Sequence, residues 1–214
     1  MKTKKLIIFD MDGVILDSEP LHKKSREMLY EELGIHVQDK IPNPVGESSS
    51  GHWRKVIAVY RIKEDPYALE ARQYHLVAQQ IKEKKIPVSK GLYEVLDWSK
   101  RQGMRIGLAS SSTRKLVEKT LHYLEIKNYF DYIVCGDEVD TKKPAPDIYV
   151  NVLKEAGVLA RQAVAVEDSA AGVEAAKNAG IFCFGYSNES SGNQDLLKAD
   201  VIISNLEEIL VFEQ

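Results

Sequence analysis

Two aspartates separated by a single residue, Asp10 and Asp12, follow the apolar run Leu6 to Phe9 and precede Gly13. On an extended chain, side chains two residues apart project to the same side. Both carboxylates can therefore address one ligand, and Gly13 lets the backbone turn sharply beyond them. A second acidic pair, Glu167 and Asp168, follows the apolar run Val164 to Val166. Carboxylates gathered at one place repel each other unless a cation sits among them, and hard oxygen ligands suit Mg²⁺. A magnesium site is therefore expected. Two further segments supply what an anionic substrate needs. Ser110, followed by Ser111, Ser112 and Thr113, offers a hydroxyl and free amides at a helix start. Lys143, within Lys142-Lys143-Pro144-Ala145-Pro146-Asp147, places a positive charge just ahead of a helix that begins near the prolines. Carboxylates, Mg²⁺, a hydroxyl and a lysine together describe phosphoryl transfer.

The elements that must hold these residues follow from the apolar pattern. The runs Leu6 to Phe9, Ile106 to Ala109, Ile133 to Cys135, Val164 to Val166, Ile181 to Phe184 and Val201 to Ile203 read as buried strands. Segments with helical spacing lie between most of them, including Lys115 to Leu124, Ile148 to Ala156 and Gly172 to Ala179, and this alternation implies a parallel sheet. Ligands gather at the carboxyl ends of the strands in such sheets, where the acidic residues stand. The first gap differs. From Ser18 to about Pro87 no strand is evident, and three helices are expected. One runs from Leu21 to Leu33 with Ser18 as N-cap, Pro20 in its first turn and Gly34 as its stop; the others lie near Gly51 to Ile62 and Pro66 to Lys85. A block of about 70 residues is too long for a simple crossover and reads as a helical cap inserted after the first strand. The expected fold is α/β, a doubly wound parallel-sheet (Rossmann-like) core of residues 1–16 and 88–214 with a cap over 17–87.

Composition limits the alternatives. The 214 residues are 44% hydrophobic and 29% charged, within the globular range, which disfavours intrinsic disorder, collagen-like repeats and a pure coiled coil. Lys and Arg number 29 against 32 Asp and Glu, a net charge of -3. No basic excess exists to attract nucleic acid or an anionic membrane, and the modest charge permits a monomer. Cys135 and Cys183 lie in apolar runs with no partner at metal-ligand or redox spacing, so they read as reduced core residues. With no secretory signature and no membrane-spanning stretch, a cytoplasmic location is expected.

Four motifs occur in order: Phe9-Asp10-Met11-Asp12-Gly13-Val14 with Asp17-Ser18-Glu19, Leu108-Ala109-Ser110-Ser111-Ser112, Lys143-Pro144-Ala145-Pro146-Asp147, and Val166-Glu167-Asp168-Ser169. Together they resemble the haloacid dehalogenase superfamily, in particular its β-phosphoglucomutase-like phosphatases with a helical cap, over essentially the whole chain. The resemblance implies that Asp10 is a nucleophile forming an aspartyl-phosphate and Asp12 the general acid and base. It implies further that Ser110, Ser111 and Lys143 hold the phosphoryl group, and that Mg²⁺ is bound by Asp10, the backbone carbonyl of Asp12, Asp168 and Glu167. Protonated Asp12 suits the first step, and nearby carboxylates are expected to raise its pKa. The implied substrate is a small phosphorylated metabolite of the sugar phosphate class. Hinge motion between cap and core is expected, since closure expels water.

Mutases of this type carry an arginine soon after a cap glycine and a lysine in the last cap helix. This chain has Ser48 to Ser50 with Arg54 one turn later, and Arg72 and Gln73, which favours hydrolysis over the alternative, a sugar phosphomutase. Dehalogenase and phosphonatase chemistry has no use for an acid two residues after the nucleophile, so Asp12 argues against both. A phosphate-accepting regulator is the reading from another class, separable by sustained turnover of p-nitrophenyl phosphate.

His22, one helical turn past Ser18, is a further candidate for touching substrate. His36, His52, His75 and His122 show no ligand spacing and are expected at the surface or in cap packing. Trp53 and Trp98 fall in helical segments, where core packing is expected. The polar segment Gly46 to Gly51 is expected as a cap loop over the site or a plain turn between helices.

Overall fold

The apolar runs form one sheet whose central runs, Leu6 to Phe9 and Val164 to Val166, are wholly buried, while Ile202 in an edge run is exposed. In the computed structural model, which describes residues 4–36, 41 and 48–212, the strands are β1 (Leu6–Phe9), β2 (Arg105–Ser110), β3 (Tyr132–Cys135), β4 (Ala163–Glu167), β5 (Phe182–Tyr186) and β6 (Val201–Ile203). All pair in parallel, in the order β3-β2-β1-β4-β5-β6. Strand periodicity sends Ile7 and Phe9 into one apolar layer and Leu6 and Ile8 into the other. Helices cover both layers. α4 (Leu92–Arg101) and α5 (Arg114–Tyr123) pack with Ile7 and Phe9, while α6 (Asp147–Ala156) and α7 (Ala170–Asn178) pack with Leu6 and Ile8. This is the doubly wound α/β architecture.

The strand order reverses at β1, so β1 and β4 flank the crevice in which such sheets bind ligands. Their register pairs Phe9 with Val166, and the Asp10 amide donates to the Val166 carbonyl at 3.0 Å. Asp10 is thereby set beside Glu167.

The chain between β1 and α4 supplies the cap: α1 (Glu19–Glu32), α2 (Ser49–Tyr60) and α3 (Pro66–Lys84). They share a small core of Leu29, Ile41, Trp53, Val56 and Leu69. Leu21 of α1 and Tyr74, Val77, Ala78 and Ile81 of α3 belong instead to the main apolar cluster, so cap and sheet layer meet through continuous packing. α2 starts two residues before the expected Gly51: Ser48 caps it, accepting a hydrogen bond from the Gly51 amide at 3.2 Å. The polar segment thus becomes helix from Ser49 onward, while Gly46 and Glu47 lie outside the described residues. Among the described residues no helix is long and apolar enough to cross a membrane. Cys135 and Cys183 are buried and unbridged, and Trp53 is core as expected.

Candidate active site

Asp10, Asp12, Lys143 and Asp168 line one cavity of about 150 Å³ at the carboxyl ends of β1 and β4, beneath the cap. A larger cleft of about 470 Å³ lies between α3 and α5 and contains none of these four residues. Chemistry, not size, picks out the first.

Ligand oxygens of Asp10, Glu167 and Asp168 lie within 4.8 Å of one another, all buried. The Lys143 ammonium sits among them, 2.5 Å from Asp10 Oδ1 and 2.6 Å from Glu167 Oε1, and donates to the Ala109 carbonyl at 2.8 Å. Burial works to deprotonate Lys143, but the Asp10 and Glu167 carboxylates outweigh it and hold its pKa above the ordinary value. The Tyr149 hydroxyl donates to Glu167 Oε1 at 2.6 Å, while buried Glu167 Oε2 has no partner. One ammonium therefore faces three carboxylates. Burial raises the Asp10 pKa well above its usual range against the pull of Lys143, and burial and Glu167 push Asp168 up to about 7. Excess carboxylate, short oxygen separations and an unpartnered buried oxygen fit a hard divalent cation.

Two glycines make room. Gly13 has φ +82°, and a Cβ there would fall 1.9 Å from Asp168 Oδ2; a Cβ on Gly172 would fall 1.9 Å from Glu167 Oε2.

Asp12 is held differently. Ser18 donates to its Oδ1 at 2.7 Å, Ser112 to its Oδ2 at 2.8 Å, and His22 Nε2 stands 3.4 Å from Oδ1. Burial works to raise its pKa, yet hydrogen bonds from His22, Ser18 and Ser112 prevail and hold it below the ordinary value. This corrects the expectation that neighbouring carboxylates raise it: donors, not acids, are its nearest neighbours. It also corrects the role of Ser18, which occupies the N-cap position of α1 but makes no side-chain cap bond there.

The serine segment divides in the same way. Ser110 is fully buried at the end of β2, its hydroxyl accepting from the Ser112 amide at 3.1 Å, whereas Ser111 and Ser112 line the cavity. The structure thus brings Asp10, Asp12, His22, Ser111, Lys143 and Asp168 to the cavity and seats Glu167 and Ser110 just behind it.

Residues that no sequence spacing marked complete the wall. Arg26 lies one turn after His22 on α1, buried and paired with Glu19 at 2.7 Å. The segment after β5 folds over the site: Ser191 donates to Asp168 Oδ2, Asn188 donates to the Gly13 carbonyl at 2.8 Å, and Ser190 donates to Asp17 at 2.7 Å. Of the mutase-position residues, Arg54 is exposed and donates to the Tyr67 hydroxyl at 2.5 Å, and Arg72 pairs with Glu32 at 2.5 Å. Gln73 is fully buried inside the cap.

The family model described as haloacid dehalogenase-like hydrolase matches residues 7–186. A phosphorylated carbohydrates phosphatase of Thermotoga maritima is 31% identical over 207 residues, 95% of each chain. The fructose-1-phosphate phosphatase YqaB of Escherichia coli is 33% identical over 179 residues, 82% of this chain and 92% of that one. Among solved structures, CbbY from Rhodobacter sphaeroides in complex with phosphate superposes with a TM-score of 0.84 at 24% identity, covering 96% of each chain, and so shares the fold.

Proposed function

The chain belongs to the haloacid dehalogenase-like hydrolase family and is a phosphoric monoester hydrolase, and from that premise we propose that it hydrolyses a small phosphorylated sugar through a phosphorylated Asp10 with the aid of Mg²⁺. The observation that carries this reading is the cluster of Asp10, Glu167 and Asp168 oxygens around the Lys143 ammonium, at the point where the strand order reverses. The sugar phosphate class is supported by the two phosphatase relatives.

Asp10, Asp168, the backbone carbonyl of Asp12 and Glu167 would hold Mg²⁺, which when bound supplies the positive charge that lets a carboxylate approach a phosphate dianion. An Asp10 oxygen attacks phosphorus as the bond to the leaving oxygen breaks, and that oxygen takes a proton from Asp12. Water then attacks phosphorus, Asp12 accepts the water's proton, and the bond to Asp10 breaks to free inorganic phosphate. The resting site keeps Asp12 as a carboxylate, the form the second step requires. For the first step substrate must displace one of its donors so that Asp12 takes up a proton. Lys143 and the serines of the segment after β2 hold phosphoryl oxygens, Lys143 by exchanging one of its three present acceptors.

Hydrolysis is favoured over internal phosphoryl transfer by the placement of cap cations. Arg54 and Arg72 are engaged outside the cavity, and Arg26, paired with Glu19, is the cap arginine lining it among the described residues.

Turnover of p-nitrophenyl phosphate and of a panel of phosphorylated sugars, with Mg²⁺ and with chelator, tests the reading. Sustained phosphate release that requires Mg²⁺ and falls to background in Asp10→Asn is expected. Undiminished turnover by Asp10→Asn would refute the nucleophile assignment, and isomerisation of glucose 1-phosphate with little phosphate release would establish a mutase instead.

A further inference from the structure

Gln73 is fully buried where the three cap helices meet. Its Oε1 lies 2.8 Å from the indole Nε1 of Trp53, and an indole nitrogen can only donate. That contact orients the amide. Gln73 Nε2 then faces His22 Nδ1 at 3.0 Å and Ser49 Oγ at 3.3 Å, so both of its protons find acceptors. A flipped amide would set its NH₂ against the indole N–H, donor on donor, between two residues that are both 0% exposed. Because the amide nitrogen only donates, a neutral His22 accepts at Nδ1 and carries its proton on Nε2. Nε2 is the atom turned toward Asp12 Oδ1.

We propose that Gln73, locked by Trp53, is a positioning residue that selects the Nε2–H tautomer of His22 and so keeps a donor aimed at the Asp12 carboxylate. The opposite tautomer would turn a lone pair toward that carboxylate. The chain of bonds runs from Trp53 on α2 through Gln73 on α3 and His22 on α1 to Asp12 of the core, and the edge of the His22 ring against Tyr74, centroids 5.9 Å apart, helps fix its plane. The tautomer assignment stands on geometry alone, whereas its kinetic consequence rests on the phosphatase reading.

The test is nitrogen-15 NMR of the histidine-labelled full chain without substrate, at a pH where imidazole is neutral, with the His22 signals assigned by their loss in His22→Gln. The Nε2–H tautomer is expected in the unmodified protein. Asp12→Ala decides which neighbour selects it, because with the acceptor gone only Gln73 acts beyond the imidazole's own mild preference for Nε2–H, which by itself leaves a mixture. The Nε2–H form should persist in Asp12→Ala and give way to a mixture when Gln73→Leu is added. An Nδ1–H form in Asp12→Ala, or an unchanged tautomer in the folded double variant, overturns the proposal. In Gln73→Leu alone, kcat should fall on the order of tenfold with KM little changed, a fraction of what a positioned acid or base contributes. An unchanged kcat would remove the positioning role. Were the unmodified protein to show no phosphatase turnover while His22 kept the Nε2–H form, the functional reading would fall and the tautomer assignment would stand.

Discussion

Asp12 accepts from two serine hydroxyls and faces an imidazole nitrogen, whereas Asp10 and Glu167 share a single ammonium with Asp168 close by, and this asymmetry fits the two roles proposed for these neighbouring acids. Donors hold Asp12 as a carboxylate, the form the proposed second step needs; the groups short of positive charge are those suited to a cation. Ser191 ties one of the latter down through its bond to Asp168 Oδ2. Ser191→Ala should therefore weaken Mg²⁺ binding by about 10- to 100-fold, as loss of a bond that orients a metal ligand does elsewhere. Calorimetric titration checks this, and an unchanged affinity would show that Asp168 needs no such partner. The acidic residues themselves were legible in the sequence because each pair follows an apolar strand. Ser112 and Lys143 were named too, but not their contacts: Ser112 meets Asp12 across 100 positions and Lys143 meets Asp10 across 133, distances over which spacing carries no information.

At the scale of elements, the strands were legible because helices cover both faces of the central sheet, so most read as apolar runs, displaced by up to two residues at their ends. The start of α2 was less so: Ser49, Ser50 and Gly51 are poor helix formers, and the Ser48 cap overrides their preference. The turn after β1 couples element to site, since Gly13 combines positive φ with the close approach of Asp168. Gly13→Ala should cost about 1 to 3 kcal/mol in stability from backbone strain and displace Asp168 as well. Denaturant unfolding and Mg²⁺ titration check the two effects, and wild-type values in both would contradict this account of the turn. In the cap, Leu69 is wholly buried against Trp53, Leu29 and Val56. Leu69→Ala should cost about 2 to 5 kcal/mol by the cavity it leaves. Thermal unfolding checks this, and a loss below about 1 kcal/mol would mean that the cap core collapses to fill the space.

For the whole molecule, the acidic cluster makes stability depend on pH and, with the proposed Mg²⁺ bound, on metal as well. Asp168 titrates near pH 7 in the folded chain against an ordinary 3.8, so between those values the folded state binds more protons than the unfolded. Stability from this group is therefore complete below about pH 4 and declines as pH rises toward 7. A bound cation offsets the decline. The increase in Tm on adding Mg²⁺ should be larger at pH 8 than at pH 5, and equal increases at both would contradict a cation held by this cluster. Continuous packing between cap and sheet layer means that any opening of the cavity must part Tyr74, Val77 and Ile81 from the main cluster, which favours a closed resting state. The central claim remains the covalent one. Mass spectrometry of protein quenched during turnover should find one added phosphoryl group on the peptide bearing Asp10, absent in Asp10→Asn. Turnover with no phosphoryl group on that peptide, or with one attached to a different residue, would contradict it.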